Sequence, residues 1–587
     1  MSNKVTGKAF DAKIFYRLLS FSKKYRWQFF IGTFSAILLS LASVAKPILL
    51  QQIVNIYFKN KDKEGILYYS LLMVVFLIAE VLLQFVFIYK VNWLGQHIIK
   101  DIRVQLNNHM LQFKMSYFDN SSVGRLVTRL VSDTETIAQF FGQGLFMIIS
   151  DLLKMFVVAI VMLWMNWRMA LIAFIVLPVL IYATKIFQIA IKSAYQEVRI
   201  QVANLNGFVQ ERVTGMKIVQ LFNHENEEYD KFVKINDLHK KANIRTVWYY
   251  SIFFPIAEIL SSISVGLLVW YGGLDIVNSG TTEIGQIIAF IMMAQMLFRP
   301  LNQIADKFNT LQMGMVAGDR VFEVLDTKDQ IVESGKMEAK NFKGNISFRN
   351  VYFSYNEGEE VLKGIFFDVK AGETVAIVGA TGAGKSTIIN LINRFYEIDK
   401  GEICIDNQNI LQYTLPSLRN QIAVVLQDVF LFTDSIFNNI VLSDDSITLE
   451  QVIDAAKEIG IHEFIMSLPN NYHYNVRERG GMLSTGQRQL IAFLRAYVSK
   501  PNILILDEAT SSIDSYSEKL IQEATDKITR HQTSIIIAHR LTTVKKANRI
   551  IVMDKGKIME QGSHLELLEK NGYYKTLYDM QFASEVA

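Results

Sequence analysis

Residues 379–386 of this sequence, GATGAGKS, have the types and spacing of a loop that binds phosphate. The pattern G-x-x-x-x-G-K-[ST] follows a predicted buried strand (374–378) and precedes a helix predicted over 387–396, which is the context such a loop requires. Glycines let successive N–H groups turn inward, and the helix N-terminus adds its dipole. Lys385 would charge-pair with the β- and γ-phosphates, and the Ser386 hydroxyl could ligate Mg²⁺. The predicted contacts of the loop are Gly379, Ala380, Thr381, Gly382, Ala383, Gly384, Lys385, Ser386 and Thr387.

A second element supports the same chemistry. The apolar run at 501–506 ends in two acids, Asp507 and Glu508. A continuous apolar run suits a central parallel strand, whose carboxyl end faces the ligand crevice. We predict that Asp507 holds Mg²⁺ directly or through water and that Glu508 polarises the attacking water. The alternative, a strand end with two solvated acids, is disfavoured by the phosphate loop in the same region.

Between these elements, residues 483–489 (LSTGQRQ) open an apolar helix predicted over 490–498. Serine, threonine and glycine at a helix N-terminus can form another anion site, because hydroxyl, N–H groups and dipole converge there. Ser484 and Gln487 could instead form only a capping box. The residues alone leave both interpretations open.

The composition places these motifs in a membrane protein. The chain has 587 residues, 51% of them apolar, and a mean hydropathy of +0.21. That excess indicates membrane spans, and a charged content of only 20% excludes disorder as the dominant state. A net charge of +4 over 587 residues is too small to indicate nucleic-acid binding, so no nucleic-acid partner is expected. A single cysteine, Cys404, excludes an intramolecular disulfide framework and a cysteine-rich zinc site.

Six membrane-spanning helices are predicted in the first half of the chain. Basic residues concentrate before the first span and in the loops at 90–140 and 188–246, which predicts that the N-terminus and everything after the sixth span lie inside. Residues 10–25 form an amphipathic pattern that suits an interfacial helix, with a short soluble helix as the alternative. No secretory signal peptide is expected. The predicted spans are 29–53, 66–89, 141–164, 169–187, 247–271 and 284–301.

The two long inside loops are expected to be continuations of the spanning helices, which turn at 116–124 and at Gly215, because structureless loops of that length are uncommon. The fold class is therefore an α-helical polytopic membrane domain followed by an α/β nucleotide-binding domain. We predict an N-terminal interfacial helix (1–28), a transmembrane domain (29–318), a linker (319–341) and a nucleotide-binding domain (342–587).

Together these motifs resemble the ATP-binding cassette (ABC) transporters, specifically half-size exporters of the multidrug or lipid type. Residues 379–386 are similar to the Walker A motif, 503–508 to Walker B and 483–487 to the signature motif. Residues 117–133 and 215–225 resemble exporter intracellular loops with their coupling helices. Four further positions match single-residue features of the family: Tyr355 the aromatic that stacks on adenine, Gln427 the Q-loop glutamine, Asp514 the D-loop aspartate and His539 the switch histidine.

The resemblance implies that ATP is sandwiched between the phosphate loop of one chain and the signature of another, so that a second half-transporter chain is required. It implies catalytic roles for Glu508, His539 and Lys385, a Mg²⁺ site at Ser386, Gln427 and Asp507, and signature contacts in trans from Ser484, Thr485, Gly486 and Gln487.

The signature departs from the common LSGGQ pattern at Thr485. A β-branched residue there restricts the backbone and adds bulk near the nucleotide. Since Glu508 is intact, we favour a heterodimer in which this chain contributes an altered signature to a weak second site. A homodimer is the alternative.

Charged residues also fall within the predicted spans, where they are costly. Glu80, Asp151, Lys154 and Glu258 are predicted at a common depth, and Asp151 and Lys154 could pair at i, i+3 spacing. One hypothesis is a polar ring lining the substrate path, which would favour amphipathic or cationic substrates. The alternative is that these groups only pair with each other or face water.

The predicted function is ATP-driven export or flipping of amphipathic small molecules or lipids across a bacterial cytoplasmic membrane, in contact with its lipids. An ATP-gated channel or regulator on the same scaffold is the alternative. An importer is disfavoured because its spans and ATPase usually lie on separate chains, whereas here they are fused.

Overall fold

The computed structural model describes residues 11–278, 282–331, 335–340, 342–507, 515–538 and 540–581. The chain divides into two compact units. One contains Met1–Leu111 and Ser122–Lys328, and the other contains Gln112–Ser121 and Asp329–Ala587. The second unit is therefore not contiguous in sequence, because it includes ten residues from the first predicted intracellular loop.

The first unit is helical. Its helices are α1 (Ala12–Phe21), α2 (Arg26–Gln52), α3 (Lys63–Leu111), α5 (Val123–Thr128), α6 (Thr134–Gln139), α7 (Phe146–Met165), α8 (Trp167–Thr214), α9 (Met216–Leu221), α10 (Glu225–Asn278) and α11 (Ile284–Asp326), with π-helical turns at Ile53–Phe58, Arg129–Asp133 and Phe140–Leu145. The short helix α4 (Met115–Asp119) belongs to the second unit.

Six continuous helices are long and apolar enough to cross a membrane within the described residues, and each contains one predicted span. Large apolar side chains such as Phe85 on α3 and Trp270 on α10 are exposed, as expected where lipid or another helix, not water, is the neighbour. Four of these helices contain an internal proline, at Pro47, Pro178, Pro255 and Pro300.

The helices extend well past the predicted spans, as expected for the two long loops. The first turn lies between α4 and α5, inside the predicted 116–124 segment. The second lies at Gly215, which ends α8 and precedes α9. The linker differs from the prediction: α11 continues past residue 319 and ends at Asp326, because Val321 and Phe322 are buried against the other helices of the unit.

The described residues of the second unit form two sheets. An antiparallel sheet has the strand order β2-β1-β4-β5, and a six-stranded sheet has the order β10-β9-β3-β8-β7-β6, in which all neighbours except β10 and β9 are parallel. The strands are β1 (Ile346–Ser354), β2 (Glu360–Val369), β3 (Thr374–Gly379), β4 (Lys400–Ile405), β5 (Gln408–Asn409), β6 (Ile422–Val425), β7 (Ile503–Asp507), β8 (Thr533–Ile537), β9 (Arg549–Asp554) and β10 (Lys557–Gly562).

Helices pack against the parallel sheet, directly or through other helices, and bury its apolar strands. They are α12 (Lys385–Ile392), α13 (Leu415–Asn420), α14 (Ile436–Val441), α15 (Leu449–Ile459), α16 (His462–Met466), α17 (Thr485–Val498), α18 (Ser515–Ile528), α19 (Leu541–Lys546), α20 (His564–Glu569) and α21 (Tyr573–Gln581). Strands β3, β7 and β8 are apolar and buried nearly throughout, which is the pattern of a parallel sheet with both faces covered. Helix α12 ends four residues before the predicted boundary at 396, because Arg394 adopts a left-handed conformation (φ +50°).

Candidate functional site

The loop between β3 and α12 has the geometry expected of a phosphate-binding loop. Gly382 (φ +82°) and Gly384 (φ +98°) adopt left-handed conformations that side chains disfavour. A Cβ on Gly384 would also lie 2.8 Å from Leu362 Cδ2. Gly384 is the N-cap of α12, so the loop delivers the first N–H groups and the dipole of that helix to the same space.

Lys385 folds back over this loop. Its Nζ donates hydrogen bonds to the carbonyl oxygens of Gly379 (2.7 Å) and Ala380 (3.0 Å). Burial lowers the pKa of the Lys385 ammonium, and the nearby Asp507 carboxylate acts in the opposite direction. The buried charge therefore lies at the loop, where phosphate oxygens could replace the two carbonyl oxygens.

A pair of oxygen donors lies beside the loop. The Ser386 hydroxyl donates to Asp507 Oδ2 at 3.5 Å. Asp507 ends β7, and the strand order brings β7 two positions from β3 in the same parallel sheet. Gln427 is exposed and lies two residues beyond the end of β6, the neighbour of β7. A hydroxyl, a carboxylate and an amide oxygen are hard donors of the kind that Mg²⁺ prefers. The residues present therefore fit a magnesium ion.

Tyr355 lies one residue after β1 and is 43% exposed. Its hydroxyl donates to Thr387 Oγ1 (3.2 Å) and accepts from Asn390 Nδ2 (3.1 Å), which ties it to the first two turns of α12. Tyr396 contacts its ring edge-on, with centroids 5.0 Å apart. An exposed aromatic ring tied to the phosphate loop is suited to stack on a base. Sequence reasoning missed Asn390, which lies one helical turn after Thr387.

The predicted signature residues surround the start of α17. Ser484 is the N-cap, and the capping box considered from the sequence is present: Gln487 N donates to Ser484 Oγ (3.2 Å) and Ser484 N donates to Gln487 Oε1 (3.0 Å). Thr485 Oγ1 accepts a hydrogen bond from Arg488 Nη2 (3.3 Å), and Gly486 is buried. This arrangement presents a polar helix N-terminus at the surface of the unit.

Three predicted site residues, Glu508, Asp514 and His539, lie outside the described residues. In sequence, Glu508 directly follows β7 and His539 comes two residues after β8. Their roles remain predictions.

The charged residues of the spans pair between helices. Lys46 Nζ on α2 lies 2.6 Å from Glu80 Oε2 on α3. Lys307 on α11 donates to Asp151 on α7. The Asp151–Lys154 pair considered from the sequence is not among the ion pairs of the described residues, and Asp151 is instead bonded to Lys307 on a different helix. Sequence reasoning missed Lys307 because the sixth span was predicted to end at 301, although the helix continues.

Comparison with known proteins gives the same assignment over the whole chain. Residues 29–301 match the family described as the ABC transporter transmembrane region, and residues 362–511 match the family described as ABC transporter. An ABC transporter ATP-binding protein of Bacillus subtilis, YknV, whose function is uncharacterized, is 34% identical over 100% of this chain and 97% of its own. The chain belongs to the ABC transporter family.

Two further relatives carry more specific names. An ATP-dependent lipid A-core flippase of Desulfotalea psychrophila is 35% identical and covers 95% of this chain and 97% of its own. YgaD of Bacillus subtilis, to which multidrug export is ascribed, is 32% identical and covers 96% of this chain and 99% of its own. This ABC transporter chain is thus a multi-pass membrane protein with a nucleotide-binding ATPase domain coupled to transport.

Proposed function

We propose that this chain is one half of a dimeric exporter that moves lipids or other amphipathic molecules across a bacterial cytoplasmic membrane. One observation carries the proposal: a single phosphate loop and a single signature helix are fused to six membrane-crossing helices. One chain then supplies half of each ATP site, and a second chain completes it. The relatives named as lipid A-core flippases and multidrug exporters support lipids or drugs as the substrate class.

The site residues have distinct roles in this proposal. The N–H groups of residues 379–387 would hold the phosphates of ATP, and Tyr355 would stack on adenine. Lys385 would exchange its bonds to the Gly379 and Ala380 carbonyls for bonds to phosphate oxygens. Magnesium, held by Ser386, Gln427 and Asp507, would neutralise phosphate charge. Glu508 would polarise the attacking water, and His539 would contact the γ-phosphate.

Transport follows from a difference in nucleotide affinity between two conformations. ATP binding closes the two cassettes because the closed state alone joins the loop of one chain to Ser484, Gly486 and Gln487 of the other. Asp514 would lie in the same closed interface. Hydrolysis removes that preference, and the cassettes reopen. The membrane helices would then expose the substrate path alternately to each side.

We favour a heterodimer over a homodimer. Thr485 stands at the first position of α17, and its hydroxyl already accepts a hydrogen bond from Arg488. A glycine there would leave the helix N-terminus open to a phosphate, whereas the threonine adds bulk. This chain would therefore contribute a weaker signature to one of two unequal ATP sites.

The polar residues of the membrane unit are our proposed substrate path: Glu80, Asp151, Lys154 and Glu258. Glu80 and Asp151 already have cationic partners on other helices. Within the described residues no ion pair forms at Lys154 or Glu258, and Glu258 is exposed on α10. We therefore assign Glu258 and Lys154 as the charges that contact a substrate headgroup.

The test is reconstitution of the chain in proteoliposomes, alone and with a co-purified partner chain. ATP should drive a fluorescent phospholipid or a hydrophobic dye across the membrane against its gradient, and Glu508→Gln should abolish the movement while leaving ATP binding intact. Movement that only ever follows the gradient would identify a channel and refute export. Robust ATPase activity and transport from the chain alone would refute the heterodimer.

A further inference from the structure

The first intracellular loop folds as part of the nucleotide-binding unit. Lys114 N donates to the carbonyl oxygen of Asp329 (2.8 Å), and Ile331 N donates to that of Gln112 (2.8 Å). These bonds flank an antiparallel bridge between Phe113 and Gln330. An isolated β-bridge thus joins the loop to the linker, and Phe113 of this bridge is buried.

The far end of the same loop has a second attachment. Asp119, the last residue of α4, accepts a hydrogen bond from the hydroxyl of Tyr396. Burial raises the pKa of the Tyr396 phenol, and the bond to Asp119 raises it further. Tyr396 is therefore a protonated donor at neutral pH. Residues 112–121 are held at both ends, by the linker and by this tyrosine.

Tyr396 also touches the ring predicted to stack on adenine. Its ring meets that of Tyr355 at 90°, and both rings pack on Phe353 with centroid distances of 5.8 and 4.8 Å. Perpendicular aromatic pairs are favourable only over a limited range of interplanar angles. A change in the tilt of the Tyr355 ring therefore weakens its contact with Tyr396 unless the Tyr396 ring reorients as well. A continuous series of contacts therefore joins the proposed base platform to α4: Thr387 to Tyr355, Tyr355 to Tyr396, and Tyr396 to Asp119.

We propose that Tyr396 is a positioning residue that couples base occupancy at Tyr355 to the docking of α4 through Asp119. A base stacked on Tyr355 fixes the tilt of its ring, which holds Tyr396 perpendicular and its hydroxyl on Asp119. With a weakly stacking base the Tyr355 ring is held only through its hydroxyl, by Thr387 and Asn390, so its tilt can vary. The Tyr396–Asp119 bond is then formed for a smaller fraction of the time, and α4 depends more on its attachment to the linker. This inference rests on the proposed ATP-driven transport.

The first experiment measures amide hydrogen exchange in residues 112–121 of the full chain in lipid nanodiscs. Saturating ATP with EDTA, which prevents hydrolysis, should slow exchange there by about two- to tenfold, as expected if the existing Tyr396–Asp119 hydrogen bond becomes more persistent. Uridine triphosphate should protect residues 379–387 but not 112–121. Tyr396→Phe keeps the ring and removes the donor, and it should abolish the effect of ATP on 112–121 alone. The matched control is Tyr472→Phe, which removes a hydroxyl bonded to His462 elsewhere in the unit.

The second experiment measures the amount of lipid moved per ATP hydrolysed. Tyr396→Phe and Asp119→Ala should each lower this ratio by about two- to tenfold, and the double variant should lower it no further, because both remove one interaction. Unchanged protection of 112–121 by ATP in Tyr396→Phe would overturn the inference, as would additive effects of the two substitutions. If the wild-type chain moves no substrate, the proposed function fails. The difference in hydrogen exchange of residues 112–121 between ATP and uridine triphosphate can still be measured, and it tests the role of Tyr396 separately.

Discussion

The Ser386 hydroxyl donates a hydrogen bond to the Asp507 carboxylate across a distance of 3.5 Å. The two residues come from different motifs, 121 positions apart in sequence. Their approach depends on the sheet order, which inserts only β8 between β3 and β7. The long bond leaves room for both oxygens to turn toward a common cation, which is the basis of the first prediction.

Asp507→Asn should separate magnesium-dependent from magnesium-independent nucleotide binding. The amide keeps an oxygen donor but loses the negative charge that attracts a hard cation. We expect ATP affinity in EDTA to be unchanged and the gain in affinity on adding Mg²⁺ to fall by about tenfold or more. Titration with a fluorescent ATP analogue measures both. Asp526→Asn, which removes a surface carboxylate paired with Lys546, should behave as wild type; an equal loss in both variants would contradict the assignment.

The two left-handed glycines of the loop provide a matched pair for stability. Gly384→Ala introduces both a disfavoured φ of +98° and a Cβ 2.8 Å from Leu362, whereas Gly382→Ala introduces a disfavoured φ of +82° with nothing within 4 Å. We expect Gly382→Ala to lower the free energy of unfolding by about 1 kcal/mol and Gly384→Ala to cost about 1–3 kcal/mol more. Thermal unfolding of the two variants tests this order, and equal melting temperatures would refute it.

Thr485→Gly should increase the ATPase turnover of the purified chain. The substitution restores the common signature. It also removes a side chain whose hydroxyl accepts a hydrogen bond from Arg488. Thr485→Ser is the matched variant, because it keeps the hydroxyl and removes only the β-branch. If bulk is the cause, serine should recover part of the turnover and glycine all of it. No change in either variant would show that Thr485 does not weaken the site.

The Lys46–Glu80 pair should stabilise the membrane unit mainly because each charge neutralises the other, so that neither is left unpaired among the helices. The two side chains are 29% and 17% exposed, so Lys46→Met would leave Glu80 poorly solvated. We expect that variant to lose about 2–4 kcal/mol of stability, somewhat less than a fully buried pair. The double variant Lys46→Met/Glu80→Gln should recover most of the loss. Melting temperatures in lipid nanodiscs provide the comparison, and a double variant as unstable as the single one would refute the charge argument.

A contact at the end of the sixth helix predicts a pH dependence. Arg17 on α1 forms two hydrogen bonds to Asp326, at 2.6 and 2.7 Å, and its guanidinium lies 4.1 Å from the centroid of the Phe322 ring. The hydrogen bonds from Arg17 lower the pKa of the Asp326 carboxyl. A lowered carboxyl pKa stabilises the fold above the ordinary carboxyl range, and this stabilisation is lost as the pH falls through the lowered value.

The corresponding experiment compares wild type with Asp326→Asn. The difference in melting temperature should be constant from about pH 8 to pH 5 and should shrink only below about pH 4, where the carboxylate of the unfolded and then the folded state is protonated. The pair is exposed, so it is worth about 0.2–1 kcal/mol at most. A difference that shrinks near neutral pH would point to a group other than Asp326.

Local features of this protein could be predicted from the sequence, and contacts between distant segments could not. The phosphate loop, the capping box at Ser484 and the turn at Gly215 depend on neighbouring residues, so their patterns specify them. The Asp151–Lys307 bond joins residues 156 apart, and the Asp119–Tyr396 bond joins residues 277 apart. Such pairs are fixed by the packing of helices and sheets, which no local pattern encodes.

The discontinuous nucleotide-binding unit has a consequence for the exchange of parts between relatives. A chimera that replaced only residues 329–587 would separate Phe113 from Gln330 and Asp119 from Tyr396. Residues 112–121 must therefore come from the same parent as the cassette, as a ten-residue replacement within the recipient's membrane segment. Recombination within this family should favour crossovers that keep those two stretches from one parent, because each alone lacks the surface that completes it.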